Sequence, residues 1–342
     1  ITGATGFLGG HIAEQLVARG ERVRALVRPM SDVAFLRGLG VELAEGDLGD
    51  AASLRPAVAG ADVVYHCAAK VGEWGPWSEY QALIIDATRI LLDACRAGAV
   101  GRFLHVSSIT VYGHPQPRPG EFTEDEPLAQ NLWRRDYYIR AKVRAEELVR
   151  AYPGAWTILR PSWIYGPRDR NTLPRLVKAL RSGRISLIGS GENLLNIVYV
   201  ADVAEAAILA ANSPAAVGRA YNVSSPGEVT QRQVLDTVTD LLGLPRVRRR
   251  MPFWLAFRVG WLSELIGRAI RLKRPPHATR YGVSLVGRPT QFSIARARAE
   301  LGWQPRVHAV EGLRRTLEWF RESEGMTAPP EEDRAAPPVR SA

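Results

Sequence analysis

Three side chains in this sequence supply the parts for moving a proton to or from a carbinol oxygen. Ser108 offers a hydroxyl, Tyr138 a phenol and Lys142 an amine. A free phenol titrates near pH ~10 and is a poor base at neutrality. A nearby ammonium favours the phenolate and is expected to lower that value. Tyr138 and Lys142 stand four residues apart, so a helix places both on one face and both can point into one cleft. Ser108 follows an apolar run and, at the carboxyl end of a strand, can donate to a developing oxyanion. Taken alone, Tyr138 reads equally well as a surface tyrosine on an arginine-rich helix.

More than a hundred residues earlier the chain opens on ITGATGFLGG. Gly3 allows a tight turn, Gly6 lets the backbone approach a pyrophosphate, and Gly9 lets a helix pack closely on its strand. Thr5, Phe7 and Leu8 lie within the same turn. The helix that follows offers unpaired N–H groups and a positive dipole end to phosphates. The spacing is G-x-x-G-x-x-G rather than G-x-G-x-x-G. A glycine-rich strand–helix turn without a ligand is the plain alternative. The two constellations together, in this order, read as a nicotinamide-dependent oxidoreductase or epimerase.

The elements that must position them follow from apolar periodicity. Strands are predicted over residues 22–28, 41–44, 62–67, 102–107 and 156–160, and helices over 80–97 and 137–151. Such alternation implies parallel strand–helix–strand units, hence an α/β fold with a doubly wound parallel sheet. Ligands in these sheets sit at the carboxyl ends of the strands. The candidate residues fall there: the glycine turn, Arg28, Asp47 with Leu48, Ala68 with Ala69, Ser108, and Pro161 with Ser162. Residues 1–165 are expected to form the dinucleotide-binding domain. Residues 166–320 form mainly a smaller substrate lobe, some segments returning to the sheet. Residues 321–342, rich in Pro, Ala and charge, read as a disordered tail. Because Ile1 abuts the turn, most of the first strand is expected to be missing from the sequence as read.

Length and composition fit one large α/β unit with a lobe. No apolar run reaches the ~18 residues of a membrane span, and no signal peptide is visible. Cys67 and Cys95 are the only cysteines and read as buried free thiols, which suits a reducing cytoplasm. The six histidines show no metal-ligand spacing, so no metal is expected. The net charge of +10 is spread along the chain as arginine, which reads as compositional bias and not as a nucleic-acid footprint.

Over residues 1–320 the chain resembles the extended short-chain dehydrogenase/reductases, the group holding nucleotide-sugar epimerases, dihydroflavonol reductases and 3β-hydroxysteroid dehydrogenases. The matching pieces are TGATGFLGG, GDL at 46–48, HCAA at 66–69, SSITVYG at 107–113, Tyr138-x-x-x-Lys142 and LRPSWIYGP at 159–167. The resemblance implies that Tyr138 is the acid/base, that Lys142 holds the nicotinamide ribose, and that Ser108 binds the reacting oxygen. It also implies that the nicotinamide's positive charge helps lower the Tyr138 pKa. Extended members commonly carry N-V-x-G-T before the serine strand. Here Ile84 stands for the Asn and Ala87 for the Gly.

Nucleotide-sugar members place an Asn where this chain has Trp163, and a phosphate-binding Arg where it has Leu195. Two polar anchors have become apolar, which implies a lipophilic substrate. Residues 68–75, 275–280 and 300–305 resemble the 3β-hydroxysteroid dehydrogenase-like branch, including reductases of long-chain β-keto acids. Trp74, Thr110 and Trp163 are the expected substrate contacts, with packing aromatics as the alternative for the tryptophans. Arg28 ends the second strand where NAD enzymes place an acid, which implies NADP(H), with NAD as the alternative.

The leading expectation is an NADP(H)-dependent oxidoreductase for a 3-oxo/3-hydroxy group of a steroid, terpenoid or long-chain β-keto acid. A nucleotide-sugar 4-epimerase and a non-catalytic NADP(H)-binding sensor or scaffold are the alternatives. The stretch from Arg246 to Arg274 alternates Phe, Trp, Leu and Ile with Arg and Lys. It reads either as a basic amphipathic helix on a membrane surface, through 252–273, or as a lobe helix with its aromatic face on the sheet domain. A homodimer is a further expectation.

Overall fold

The computed structural model describes residues 1–115, 120–170 and 172–323. The expected tail, 321–342, falls mostly outside them, and its first three residues instead close the last helix, Ala309–Ser323.

The main sheet runs in the order Glu42–Glu45, Arg24–Val27, Thr2, Val63–His66, Arg102–Val106, Trp156–Pro161, Arg219–Val223, and every pairing is parallel. Thr2, with Ile1 before it, joins the two halves. Its N–H donates to the Tyr65 carbonyl at 2.9 Å, and Leu26 N–H donates to the Ile1 carbonyl at 2.9 Å. Strand order reverses at Thr2, so the crevice of the switch point opens beside Gly3.

The strands are apolar runs because helices cover both faces. Phe7–Ala18 and Val200–Asn212 bury one face around Ile12, Leu104, Leu159 and Val203. Ala51–Val58, Ala87–Ala97 and Tyr137–Arg150 cover the other around Leu54, Leu91, Phe103 and Ile158. Cys67 and Cys95 are free thiols.

A second core belongs to the lobe, built from Leu173, Val177, Leu187, Leu195, Leu235 and Leu317. Residues 200–212, 219–223 and 294–303 return to the sheet, where Trp303 Nε1 donates to the Asp202 carbonyl at 2.9 Å.

Two local departures from the expected pattern matter for the site. The helix predicted over 80–97 is not a plain α-helix. Trp77–Tyr80 passes into a π-turn, Gln81–Asp86, before Ala87–Ala97 resumes. Thr88 Oγ1 donates to the Ile84 carbonyl at 2.6 Å and so serves one acceptor of the widened turn. The helix Phe253–Ala269 does not lay its whole aromatic face on the protein. Phe253 and Phe257 turn inward, but Trp254 and Trp261 are exposed. No helix among the described residues is long and apolar enough to cross a membrane.

Candidate active site

Gly3 adopts φ +70°, and a Cβ there would lie 2.8 Å from Ala68 N. The turn is therefore wedged against the end of the Val63–His66 strand, closed to any side chain. A Cβ on Gly9 would approach the Gly3 carbonyl oxygen to 2.3 Å, so the helix can rest on the turn only with glycine there. Gly6 caps Phe7–Ala18 with no side-chain bond, and no acid stands in the first turn. The first N–H groups of that helix point into the crevice with a positive dipole end behind them. Thr5 and Gly6 are exposed and Phe7 is half-buried. Leu8 is buried in the core, so only its backbone can face a phosphate.

The neighbouring strand ends complete the cradle. Arg28 follows Val27 and is exposed. Asp47 is exposed, its Oδ1 accepting from Gly49 N–H at 2.8 Å, while Leu48 packs on the sheet core. Ala68 N–H donates to Thr2 Oγ1. Ala69 lies against the Tyr138 helix. Pro161 ends its strand, and Ser162 is buried with its Oγ unpartnered among the described residues. An open helix terminus, a turn that excludes side chains and an unsatisfied hydroxyl fit a bound dinucleotide.

Ser108 leaves the Arg102–Val106 strand in extended geometry, and its Oγ accepts from Thr110 N–H at 3.2 Å. Its hydroxyl lies near enough to the Tyr138 phenol to favour the phenolate slightly. The helix Tyr137–Arg150 brings Tyr138 and Lys142 to the same strand end, and Lys142 Nζ donates to the Val106 carbonyl at 2.8 Å. The three side chains chosen for chemistry are therefore gathered at one strand end.

Their electrostatics differ from expectation. Burial pushes the Tyr138 phenol up to about 12, against a smaller opposing effect of the nearby Ser108 hydroxyl. The expected lowering is not a property of the protein alone. Burial lowers Lys142 to about 8, partly offset by the Glu146 carboxylate one turn on. The free protein thus holds a protonated phenol beside an ammonium that is easily discharged.

Thr110 lines a cleft with Ile109, His114, Ile139, Tyr281, Leu285 and Arg288, and its Oγ1 is buried without a partner among the described residues. The Tyr281 phenol is raised, first by burial and then by Tyr138, which puts the two within electrostatic reach. The space is about 70 Å³. Sites for drug-sized ligands hold ~300 Å³ or more, so the cleft as it stands encloses only part of a long substrate.

Neither expected tryptophan lines this cleft. Trp74 docks on the far helix, its Nε1 donating to the Leu272 carbonyl at 2.8 Å and its face under Arg268. Trp163 pairs with Ile197 and packs on the lobe core. Both rings are half-buried and pack against protein, as in the alternative reading.

Sequence reasoning also missed a buried pair behind the site. Glu146 takes both arms of Arg160, at 3.0 and 2.7 Å. Arg160 then donates to the Tyr112 hydroxyl at 2.8 Å, which donates to Asn222 Oδ1 at 2.7 Å. This network ties the Tyr138 helix to the Ser108 turn and the sheet. The signal was available: Tyr138, Lys142 and Glu146 lie on one helical stripe.

With this geometry in view, the comparisons are specific. The description "NAD dependent epimerase/dehydratase family" matches residues 1–224. A 2-alkyl-3-oxoalkanoate reductase of Stenotrophomonas maltophilia is 33% identical over 92% of this chain and 97% of its own. A sterol-4-alpha-carboxylate 3-dehydrogenase, decarboxylating, of Mus musculus is 28% identical over 94% of this chain and 90% of its own. The crystal structure of gox2253 superposes with a TM-score of 0.77 at 30% identity, covering 95% of this chain and 98% of that one. A phosphate cradle at the switch point, a Ser–Tyr–Lys cluster beside it and a match across two thirds of the chain agree: the chain belongs to the NAD dependent epimerase/dehydratase family, as an NAD(P)-dependent oxidoreductase.

Proposed function

We propose that this protein transfers a hydride between NADP(H) and the 3-oxygen of a lipophilic acid whose carboxylate is borne by the carbon next to the reacting one. The observation that carries this reading is Arg288. Arg288 lines the mainly apolar cleft beside Thr110 and has no acidic partner among the described residues. Burial alone lowers its pKa, so an anion in the cleft would relieve it. A carboxylate matches the planar fork of that side chain. The two named relatives both act, by their names, on a carboxylate with a neighbouring 3-oxygen function.

When bound, the cofactor supplies or accepts the hydride. The protein's own residues do the rest. Tyr138 donates its proton to the carbonyl oxygen as the alcohol forms, and takes it back in the reverse direction. The Ser108 hydroxyl holds that oxygen in line. Lys142, as an ammonium, would hold the ribose and steady the charge left on the phenol. Ile109, Ile139 and Leu285 exclude water around the chain of the substrate. Arg28 favours NADP(H), because no acid follows until Asp32, whose carboxylate accepts from Ala34 N–H.

The epimerase alternative finds no support at its anchors. Leu195 is buried in the lobe core and Trp163 packs beside it. The deciding assay follows NADPH and NADH oxidation with 2-alkyl-3-oxo acids, with 3-ketosteroids lacking a carboxylate, and with UDP- and GDP-sugars. Net NADPH oxidation by the 3-oxo acids is expected. Arg288→Met should raise KM for them on the order of 10- to 100-fold, as for a lost charge-assisted hydrogen bond, and leave cofactor binding unchanged. Turnover of ketosteroids with equal efficiency would remove the carboxylate from the reading. Interconversion of sugar nucleotides without net oxidation would replace it.

A further inference from the structure

The helix Phe253–Ala269 is amphipathic the wrong way round for a surface helix. At about 100° per residue, Ala256, Gly260, Glu264 and Gly267 share one face, and all four are buried. A Cβ on Gly260 would lie 2.8 Å from the Thr279 carbonyl carbon, so the helix seats its glycine edge on backbone. The one acid, Glu264, points inward and accepts from Arg280 N–H and its guanidinium, both at 2.8 Å. The opposite face carries the large apolar side chains. Trp254 is 59% exposed, Leu265 52% and Ile270 65%, with Trp261, Leu262 and Ile266 beside them. Single exposed hydrophobes need no explanation, but a continuous face of them does.

The charge around this face has one sign. Arg248, Arg249 and Arg250 precede the helix, Arg258 lies on it, and Arg271, Lys273 and Arg274 follow it, all exposed. Between residues 247 and 274 the buried Glu264 is the only acid. A second copy of this chain would bring cations against cations. An anionic lipid surface complements both the charge and the apolar face, and tryptophan suits its boundary. We propose that residues 248–274 seat this protein on the surface of an anionic bilayer, with the outer face of the helix among the acyl chains. Phe257 of the same helix contacts Trp133 at 5.4 Å, and that ring stacks on His114 at 3.8 Å, at the cleft wall. The cleft then opens close to the lipid, where a lipophilic substrate is concentrated. The seating itself requires nothing of the reaction assigned above, and its test needs no turnover.

The test is flotation of the full chain with vesicles of phosphatidylcholine alone and of phosphatidylcholine with one part in three phosphatidylglycerol. Binding to the anionic vesicles only, weakened by salt, with a blue shift of tryptophan emission, is expected. Replacing Arg248, Arg249 and Arg250 by Ser should weaken it on the order of 100-fold, each cation near such a surface contributing about fivefold. Trp261→Ser with Leu265→Ser should abolish it. Retained cofactor binding shows that the variants are folded. No flotation of the parent chain overturns the proposal, as does binding that ignores both variants. A concentration-dependent dimer, without lipid binding, that the Trp261/Leu265 variant dissolves gives the face to a second copy instead.

Discussion

Glu146→Leu is the perturbation that tests most of the site at once. Glu146 is fully buried and Arg160 is 1% exposed. Removing the carboxylate leaves a buried guanidinium with only the Tyr112 hydroxyl and the Glu124 carbonyl as partners. Breaking one side of a buried pair costs about 3–5 kcal/mol, a large share of the ~5–15 kcal/mol that holds a domain together. A second effect is electrostatic. Glu146 is the main group opposing the depression of the Lys142 pKa, so the variant's ammonium should discharge below about 8. Two assays separate these effects: urea unfolding for stability, and the pH dependence of cofactor affinity for Lys142. Adding Arg160→Met should recover most of the stability, because an apolar pair of similar volume replaces a buried ion pair at little cost. It should not restore the pH profile, since the carboxylate is still gone. A single variant that loses less than ~1 kcal/mol, or a double variant that restores the pH profile, would refute the reasoning.

The remaining expectations concern the groups at the strand end and the turn. Tyr138→Phe should lower turnover at least ~10²-fold and leave cofactor affinity intact, as for loss of a positioned acid; single-turnover and titration measurements check the two halves. Cofactor affinity should be steady below pH about 8 and fall above it. The sign follows from linkage: a partner that binds the ammonium takes up a proton when Lys142 is neutral, so raising pH through the free-state value weakens binding. A flat titration between pH 6 and ~10 would mean that Lys142 does not contact the ligand. Gly9→Ala should abolish cofactor binding by forcing the helix off the turn at the Gly3 carbonyl; unchanged binding would show that the turn relaxes freely.

The sheet was legible because its strands are buried on both faces and so read as short apolar runs ended by glycine or polar residues. The triad was legible for a different reason. Ser108 and Tyr138 sit where an element ends or begins, and the i, i+4 spacing puts Lys142 on the same helical face as Tyr138 without knowledge of the fold. The cleft was not. Tyr281 and Arg288 come from a helix and the residue that ends it, more than a hundred residues beyond Lys142, and the resemblance over 275–280 stops one residue short of the first. Trp74 and Trp163 show the converse limit: a tryptophan signals packing, not which neighbour it packs on. The helix Phe253–Ala269 has a helical period whichever side faces out. Only the small residues Ala256, Gly260 and Gly267 betray the inner face.

Ile84 bears on whether the site can work at all, since the non-catalytic alternative rests mainly on the Asn it replaces. The structure shows what occupies that place. Ile84 is buried in the π-turn and packs on Ala141, Ala145 and Tyr138, so the back of the Tyr137–Arg150 helix is held by apolar contact. Its carbonyl is served by Thr88 Oγ1, which also meets His66 Nε2 at 3.1 Å, while His66 Nδ1 meets Thr2 Oγ1 at 2.8 Å. One chain of hydrogen bonds thus runs from the π-turn to the residue before Gly3. With Thr88 donating to Ile84, His66 must donate from Nε2 and accept the Thr2 hydroxyl proton at Nδ1; burial, which lowers its pKa to about 3, keeps the ring neutral as that chain requires. Lys142, meanwhile, bonds directly to the Val106 carbonyl. Both the position of the helix and that of the amine are therefore specified without an Asn side chain. The substitution removes one polar group from the site and leaves the Ser108–Tyr138–Lys142 arrangement intact, which favours catalysis over a purely binding role.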